Sequence, residues 1–195
     1  MPKGRPREFD VEKALDRALK VFWRKGYEGA TLADLTRAMG INRPSLYAAF
    51  GNKEALFRRV IDRYVEGPAA FFSEALTEPR ARAVAERLLE GSIDLLTDAR
   101  NPHGCLMVQG ALACGEASDT VRRELAARRT REEAVVRQRF ERARADGDLP
   151  AGADPADLAR YVLTVIRGMA VQGASGASRE ELRRVAELAL RAWPR

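Results

Sequence analysis

Asn42-Arg43-Pro44-Ser45, followed by Tyr47, Ala48 and Ala49, brings together side chains that read DNA base edges. An arginine can bond guanine at two atoms at once, asparagine can meet adenine or a phosphate, and proline and alanine offer apolar contact to thymine methyls. Thr31, Tyr47 and Lys53 add hydroxyls and an ammonium suited to phosphate oxygens. A second group lies at His103, the only histidine, with Cys105 close by and Cys114 nine residues beyond it. Zinc takes three or four ligands, so this set makes no metal site. On one helix the two thiols would stand about 13 Å apart along the axis, beyond disulfide reach. A helix N-terminus lowers the pKa of a thiol, which makes Cys105 a candidate redox or electrophile sensor; the alternative is a small buried hydrophobe. There is no glycine-rich phosphate loop and no nucleophile elbow. The pairs Glu132-Glu133 and Glu180-Glu181 sit in arginine-rich helices and read as solvated faces. No enzyme and no cofactor are expected.

The elements that must hold these residues are helical. Val11, Leu15, Ala18, Leu19 and Phe22 form a stripe that predicts a first helix from about Phe9 to Lys25, stopped by Gly26. Thr31 caps a short second helix, with Asp34 completing a capping-box pair and Leu32, Leu35 and Met39 inward. Gly40 ends it, and Asn42 opens a third helix with Pro44 in its first turn and Leu46 and Phe50 on the core side. Two short helices joined by Gly40-Ile41-Asn42 make a helix-turn-helix, whose second helix enters the major groove. Asn52 caps a fourth helix through Tyr64, with Pro68 near its end as a kink or break. Further helices are predicted over 79–98, 105–115, 118–147 (Ser118 as cap), from Asp154-Pro155 to about Gln172, and from Ser178 to near Trp193. No period-two run makes a sheet. The expectation is an all-α chain of about nine helices, divided into a DNA-binding domain over 1–52 and a larger helical domain over 53–195.

The charge follows the same division. The 195 residues carry a net +6, and residues 1–60 hold all of it, with thirteen Lys and Arg against seven acids. The rest is balanced, and all five lysines lie within the first 53 residues. A basic end on a neutral body is the electrostatic footprint of nucleic-acid binding. No stretch approaches the roughly 18 apolar residues that span a bilayer, and the basic N-terminus leads into charged sequence unlike a signal peptide. Two free thiols suit a reducing cytoplasm, where the protein is expected to work.

The string Gly29-Ala30-Thr31-Leu32, then Leu35, then Ala38-Met39-Gly40-Ile41-Asn42-Arg43-Pro44-Ser45-Leu46-Tyr47-Ala48-Ala49-Phe50-Gly51-Asn52-Lys53-Glu54-Ala55-Leu56-Phe57 resembles the N-terminal signature of the TetR (tetracycline-repressor-like) family. The resemblance covers residues 8–60 closely and the remainder in helix order. It implies a dimeric transcriptional repressor with a small-molecule-responsive C-terminal domain. Recognition-helix roles then fall on Asn42 to Ala49, with Tyr47 and Lys53 as backbone contacts. Ala49 departs from the aromatic or histidine of many members, which puts base reading on Arg43 and Ser45. Some members carry a Gly-Cys where Cys105 stands and sense reactive species.

Three further expectations concern the arm, the body and the dimer. Arg5 and Arg7, in Lys3-Gly4-Arg5-Pro6-Arg7, resemble the core of an AT-hook that follows a narrow minor groove; the alternative is a solubilising tail. Small residues over 103–115, with Phe71, Phe72, Leu89, Ile93, Leu96, His103, Cys105 and Met107, are candidates to line an apolar effector cavity. Tyr161, Val162, Val165, Ile166 and Met169 cover more of a helix than one neighbour buries. The resemblance assigns that helix and the last one to a homodimer interface. The partners expected are therefore an operator duplex, a second copy of the chain and a small, partly hydrophobic effector. The competing reading is an architectural, weakly specific DNA-binding protein without an inducer.

Overall fold

Asp10 begins the first helix by accepting the N–H groups of Glu12 and Lys13 at 3.0 and 3.2 Å. The computed structural model describes residues 9–112 and 118–194, and these form ten α-helices with no strand. The N-terminal four are α1 (Val11–Gly29), α2 (Leu32–Met39), α3 (Arg43–Phe50) and α4 (Lys53–Glu66). The body holds α5 (Phe71–Ala75), α6 (Ala81–Thr97), α7 (Leu106–Leu112), α8 (Asp119–Ala145), α9 (Pro155–Ala174) and α10 (Arg179–Arg191).

The cap chemistry fixes most of these boundaries. Thr31 and Asp34 form a reciprocal capping box, as do Ser178 and Glu181. Asn42 accepts from the Ser45 amide at 2.8 Å and Asn52 from Ala55 at 2.7 Å. Gly40 takes the left-handed conformation (φ 69°) that closes α2 and turns the chain toward α3. Gly26 breaks the helical path at φ 68° and ψ 178°, but the chain resumes helix to Gly29, so α1 runs past the predicted stop at Lys25. α4 ends at Glu66, two residues before Pro68, so the proline lies at the break and not at a kink within the helix. One other expectation needs correcting. Ser118 precedes α8 without a capping hydrogen bond. The tenth helix is α5, five residues held where the Phe71 ring lies over Gly91 of α6; a Cβ there would overlap the ring.

The core is continuous from the N-terminal helices into the body. Phe22, Trp23, Leu35, Leu46, Phe57, Ile61 and Tyr64 pack with Leu95, Leu106, Val121 and Leu125 in one buried cluster. The rings of Trp23 and Tyr64 meet edge to face at 4.8 Å, and those of Phe22 and Phe57 at 4.9 Å. Ion pairs Arg58–Glu124 (2.7 Å) and Arg128–Asp62 (2.8 Å) tie α4 to α8. The remaining apolar residues of α6, α8, α9 and α10 form two further clusters.

Candidate functional site

On α3 the sequence pattern sorts cleanly into two faces. Leu46 and Phe50 are buried, while Arg43, Pro44, Tyr47 and Ala48 are exposed and Ser45 and Ala49 half-buried. Asn42 and Thr31 are more constrained than their types suggest. The side-chain carbonyl of Asn42 accepts the Ser45 amide, which holds the side chain against the first turn of α3 and leaves its NH2 and the second lone pair of the oxygen for DNA. The Thr31 hydroxyl donates to Asp34 at 2.8 Å and accepts the Asp34 amide at 3.1 Å, so it acts first as a cap. Lys53 stands 4.5 Å over the Tyr27 ring with its ammonium 3.5 Å from the Glu28 carbonyl. Arg59 braces the far end of α3, its guanidinium 4.9 Å over Phe50 and bonded to the Ala49 carbonyl at 3.4 Å. Arg5 and Arg7 lie outside the described residues, as does Cys114.

A cavity of about 160 Å³ opens in the body, walled among others by Tyr64, Phe71, Phe72, Leu95, Cys105 and Met107. Phe71, Phe72, Leu96, Cys105 and Met107 were expected there, and all five line it. Leu89 and Ile93 are fully buried in the packing of α6 against α9 and α10 and do not reach the cavity. His103 is exposed and does not line the cavity; its backbone carbonyl accepts from the Gln109 side chain at 3.2 Å. Among the described residues no three His, Cys, Asp or Glu cluster as metal ligands.

Cys105 corrects the thiolate expectation. Burial pushes its thiol pKa up, and this outweighs the Tyr64 O–H bond to Sγ (3.2 Å) and the α7 amides that favour thiolate. The physical reason is the apolar wall around it, against which a seven-residue helix supplies little dipole. The neighbouring Gly104, at φ 83°, gives its carbonyl to the Trp23 indole N–H at 2.9 Å. Two direct contacts therefore join the cavity wall to the N-terminal helices, one through α1 and one through α4.

Glu132 corrects the reading of Glu132-Glu133 as a solvated pair. Glu132 faces the cavity with Arg129 and Arg167 beside it. Burial raises its carboxyl pKa, against the opposing pull of Arg167, Arg129 and Arg128. Its position was visible in the spacing: Val121, Leu125, Val136 and Phe140 are buried, and Arg129 and Glu132 occupy the same stripe.

The α9 residues divide as well. Val162 and Met169 are buried inside the chain and Ile166 lines the cavity, whereas Tyr161 and Val165 lie toward the surface. Alongside them Val171, Val185 and Leu188 are exposed, three residues the periodicity did not single out. No described helix is long and apolar enough to cross a membrane.

A helix-turn-helix with an outward basic face, joined through a shared core to a helical body with an apolar cavity, defines a DNA-binding regulator. The chain belongs to the tetR family of bacterial regulatory proteins, whose description fits residues 14–60, while that of the tetracyclin repressor-like C-terminal domain fits residues 79–189. It is 36% identical over 194 residues to the HTH-type transcriptional repressor ComR of Escherichia coli (strain K12), covering 98% of this chain and 92% of that one. It is 38% identical over 114 residues, 55% of each chain, to the repressor BdcR of the same organism. The fold matches the TetR family regulator CifR, a cysteine mutant in complex with 26-bp double-strand operator DNA, at TM-score 0.93 and 45% identity, over 97% of this chain and all of that one. These relatives place the chain with transcriptional regulators, a class without enzymatic activity, and not with architectural proteins.

Proposed function

We propose that this chain is a homodimeric repressor that holds a palindromic DNA operator through α3 and is released when a small, partly hydrophobic effector enters the cavity. The observation that carries the reading is the position of Tyr64: it walls the cavity and lies on α4, which begins only two residues after α3 ends. Filling the cavity acts on α4 and so on the angle of the recognition helix. Arg43, Pro44, Ser45, Tyr47, Ala48 and Ala49 meet the groove, with Asn42, Thr31, Lys53, Arg5 and Arg7 on the backbone or the adjoining minor groove. The exposed face made by Tyr161, Val165, Val171, Val185 and Leu188 pairs two copies, which sets recognition helices about 34–36 Å apart. The cytoplasm is its place of work. Release by thiol modification is the weaker route, because desolvation pushes the Cys105 thiol pKa up and so disfavours the thiolate.

Selection of bound sites from random DNA tests the reading. The expected product is a two-fold-symmetric site bound about 10³-fold or more over random sequence, by a protein that light scattering measures as a dimer. Sequence-tolerant binding, or a monomer at micromolar concentration, overturns it.

A further inference from the structure

The polar groups of the cavity wall fall into two sets. Tyr64 donates to Cys105, Ser73 to the Ala70 carbonyl at 2.9 Å and Ser92 to the Leu88 carbonyl at 2.7 Å, so these are satisfied within the chain. The other set is Arg129, Glu132 and Arg167. Among the described residues Glu132 makes no hydrogen bond or ion pair, and no carboxylate pairs with either guanidinium; Arg167 donates only to the Arg129 backbone carbonyl at 3.4 Å. Two guanidiniums and one carboxyl thus share one part of an otherwise apolar wall with no ion-pair contact among them. Buried or half-buried charges left in this way are costly unless a partner arrives.

We propose that the cavity takes a small monocarboxylic acid, its apolar body against Phe71, Phe72 and Leu95 and its carboxylate bonded by Arg129 and Arg167. Charge decides the head group: two guanidiniums outnumber one carboxylate, so an organic cation meets net repulsion and an anion net attraction. Arginine is the side chain whose planar donors match a carboxylate in two-point geometry. Glu132 weakens this attraction without reversing it, since burial pushes its carboxyl pKa up against the pull of the arginines and one acid faces two guanidiniums. Size follows from the volume: an apolar cavity of about 150 Å³ holds one benzene ring, and this one is about 160 Å³. The inference rests on the cavity being the effector site proposed above and adds the class of molecule that fills it.

Titration calorimetry on the full-length protein with benzoate, benzyl alcohol and benzylamine, and with hexanoate as a second body, tests it. Benzoate is expected to bind at least about tenfold tighter than benzyl alcohol, the worth of a charge-assisted hydrogen bond. Hexanoate should exceed hexanol in the same sense. Arg167→Gln and Arg129→Gln should each shrink that difference, and Glu132→Gln, which removes the one acid of the wall, should keep or widen it. Benzylamine binding tightest, or the alcohol equalling benzoate, overturns the acid assignment while leaving the cavity as an effector site. No binding by any of the five, and no release of the selected operator, overturns both. The wild-type series decides the matter even where a variant fails to fold.

Discussion

The indole N–H of Trp23 donates to the backbone carbonyl of Gly104 at 2.9 Å, joining α1 to the residue before Cys105. Both residues are buried, and the bond spans 81 positions of sequence. Gly104 is held at φ 83°, and a Cβ there would approach the Gln109 side chain and Ala174, so the loop is fixed from both sides. Trp23 is in turn packed on Tyr64, the cavity-lining residue of α4.

Trp23→Phe keeps an aromatic ring against Tyr64 while removing the donor and part of the indole's volume, so a cavity cost adds to that of the lost bond. An unsatisfied buried carbonyl costs about 1–3 kcal/mol, so the urea midpoint should fall by a corresponding amount. If the bond also carries the cavity's state to α1, the effector concentration that releases operator should rise in the variant. An unchanged midpoint with unchanged release shows the bond to be dispensable.

Asp34 gives a prediction in acid. Its bond to Lys25, an ion pair of 2.8 Å, comes first, then the Thr31 hydroxyl and amide, and together they hold the carboxyl at about 2. A depressed carboxyl contributes stability above its unfolded pKa, and the contribution is lost as pH falls toward the folded value. The wild-type urea midpoint should therefore drop between about pH 4 and pH 2. In Asp34→Asn that segment should flatten, with a lower midpoint at neutral pH because the capping box is weakened.

These caps were legible from sequence because they are local. Thr31 with Asp34, Asn42, Asn52, Asp154 and Ser178 act on amides two or three residues away, and the structure bears each out. What escaped depends on partners far along the chain. Phe71–Ala75 is too short for a period to appear, and its place is set by Gly91 of another helix. Arg129 and Glu132 sit on the inward stripe of α8, but their charge disguised it. In α9 the apolar residues run round the helix, so spacing alone could not separate Val162 and Met169, which face in, from Tyr161, which is partly exposed.

Cys105 should react slowly. With Cys114→Ser to isolate it, alkylation by iodoacetamide at pH 7.5 should run well below a solvent-exposed thiol, because the nucleophile is the thiolate. The rate should keep rising with pH past the usual thiol range, as the raised pKa requires. Tyr64→Phe removes a bond that favours thiolate and should slow the reaction further. A rate as fast as a free thiol at neutral pH contradicts the buried-thiol assignment and revives thiol sensing.

Leu188 is 61% exposed on α10, the most exposed of the large apolar residues among those described. In a monomer Leu188→Glu should change little. In a dimer paired on this face it buries a charge, so light scattering should show half the mass and operator affinity should collapse toward that of a half-site. A dimer that persists places the interface elsewhere.

Arg43 and Lys53 separate base reading from backbone grip. Arg43 is the first residue of α3 and exposed, whereas Lys53 opens α4 half-buried beside Tyr27. Arg43→Ala should cost about 1–3 kcal/mol of binding and relax preference at one base pair. Lys53→Ala should weaken all sequences alike and reduce the slope of log affinity against log salt by about one. Asn42 supplies the control between them. Asn42→Ser keeps the cap on α3 and loses only the amide donor, whereas Asn42→Ala loses both. If the serine variant binds like wild type and the alanine variant does not, Asn42 acts by holding the helix. If both fall equally, its NH2 touches DNA. A specificity profile for Arg43→Ala that matches wild type at every position moves base reading to Ser45 and Tyr47.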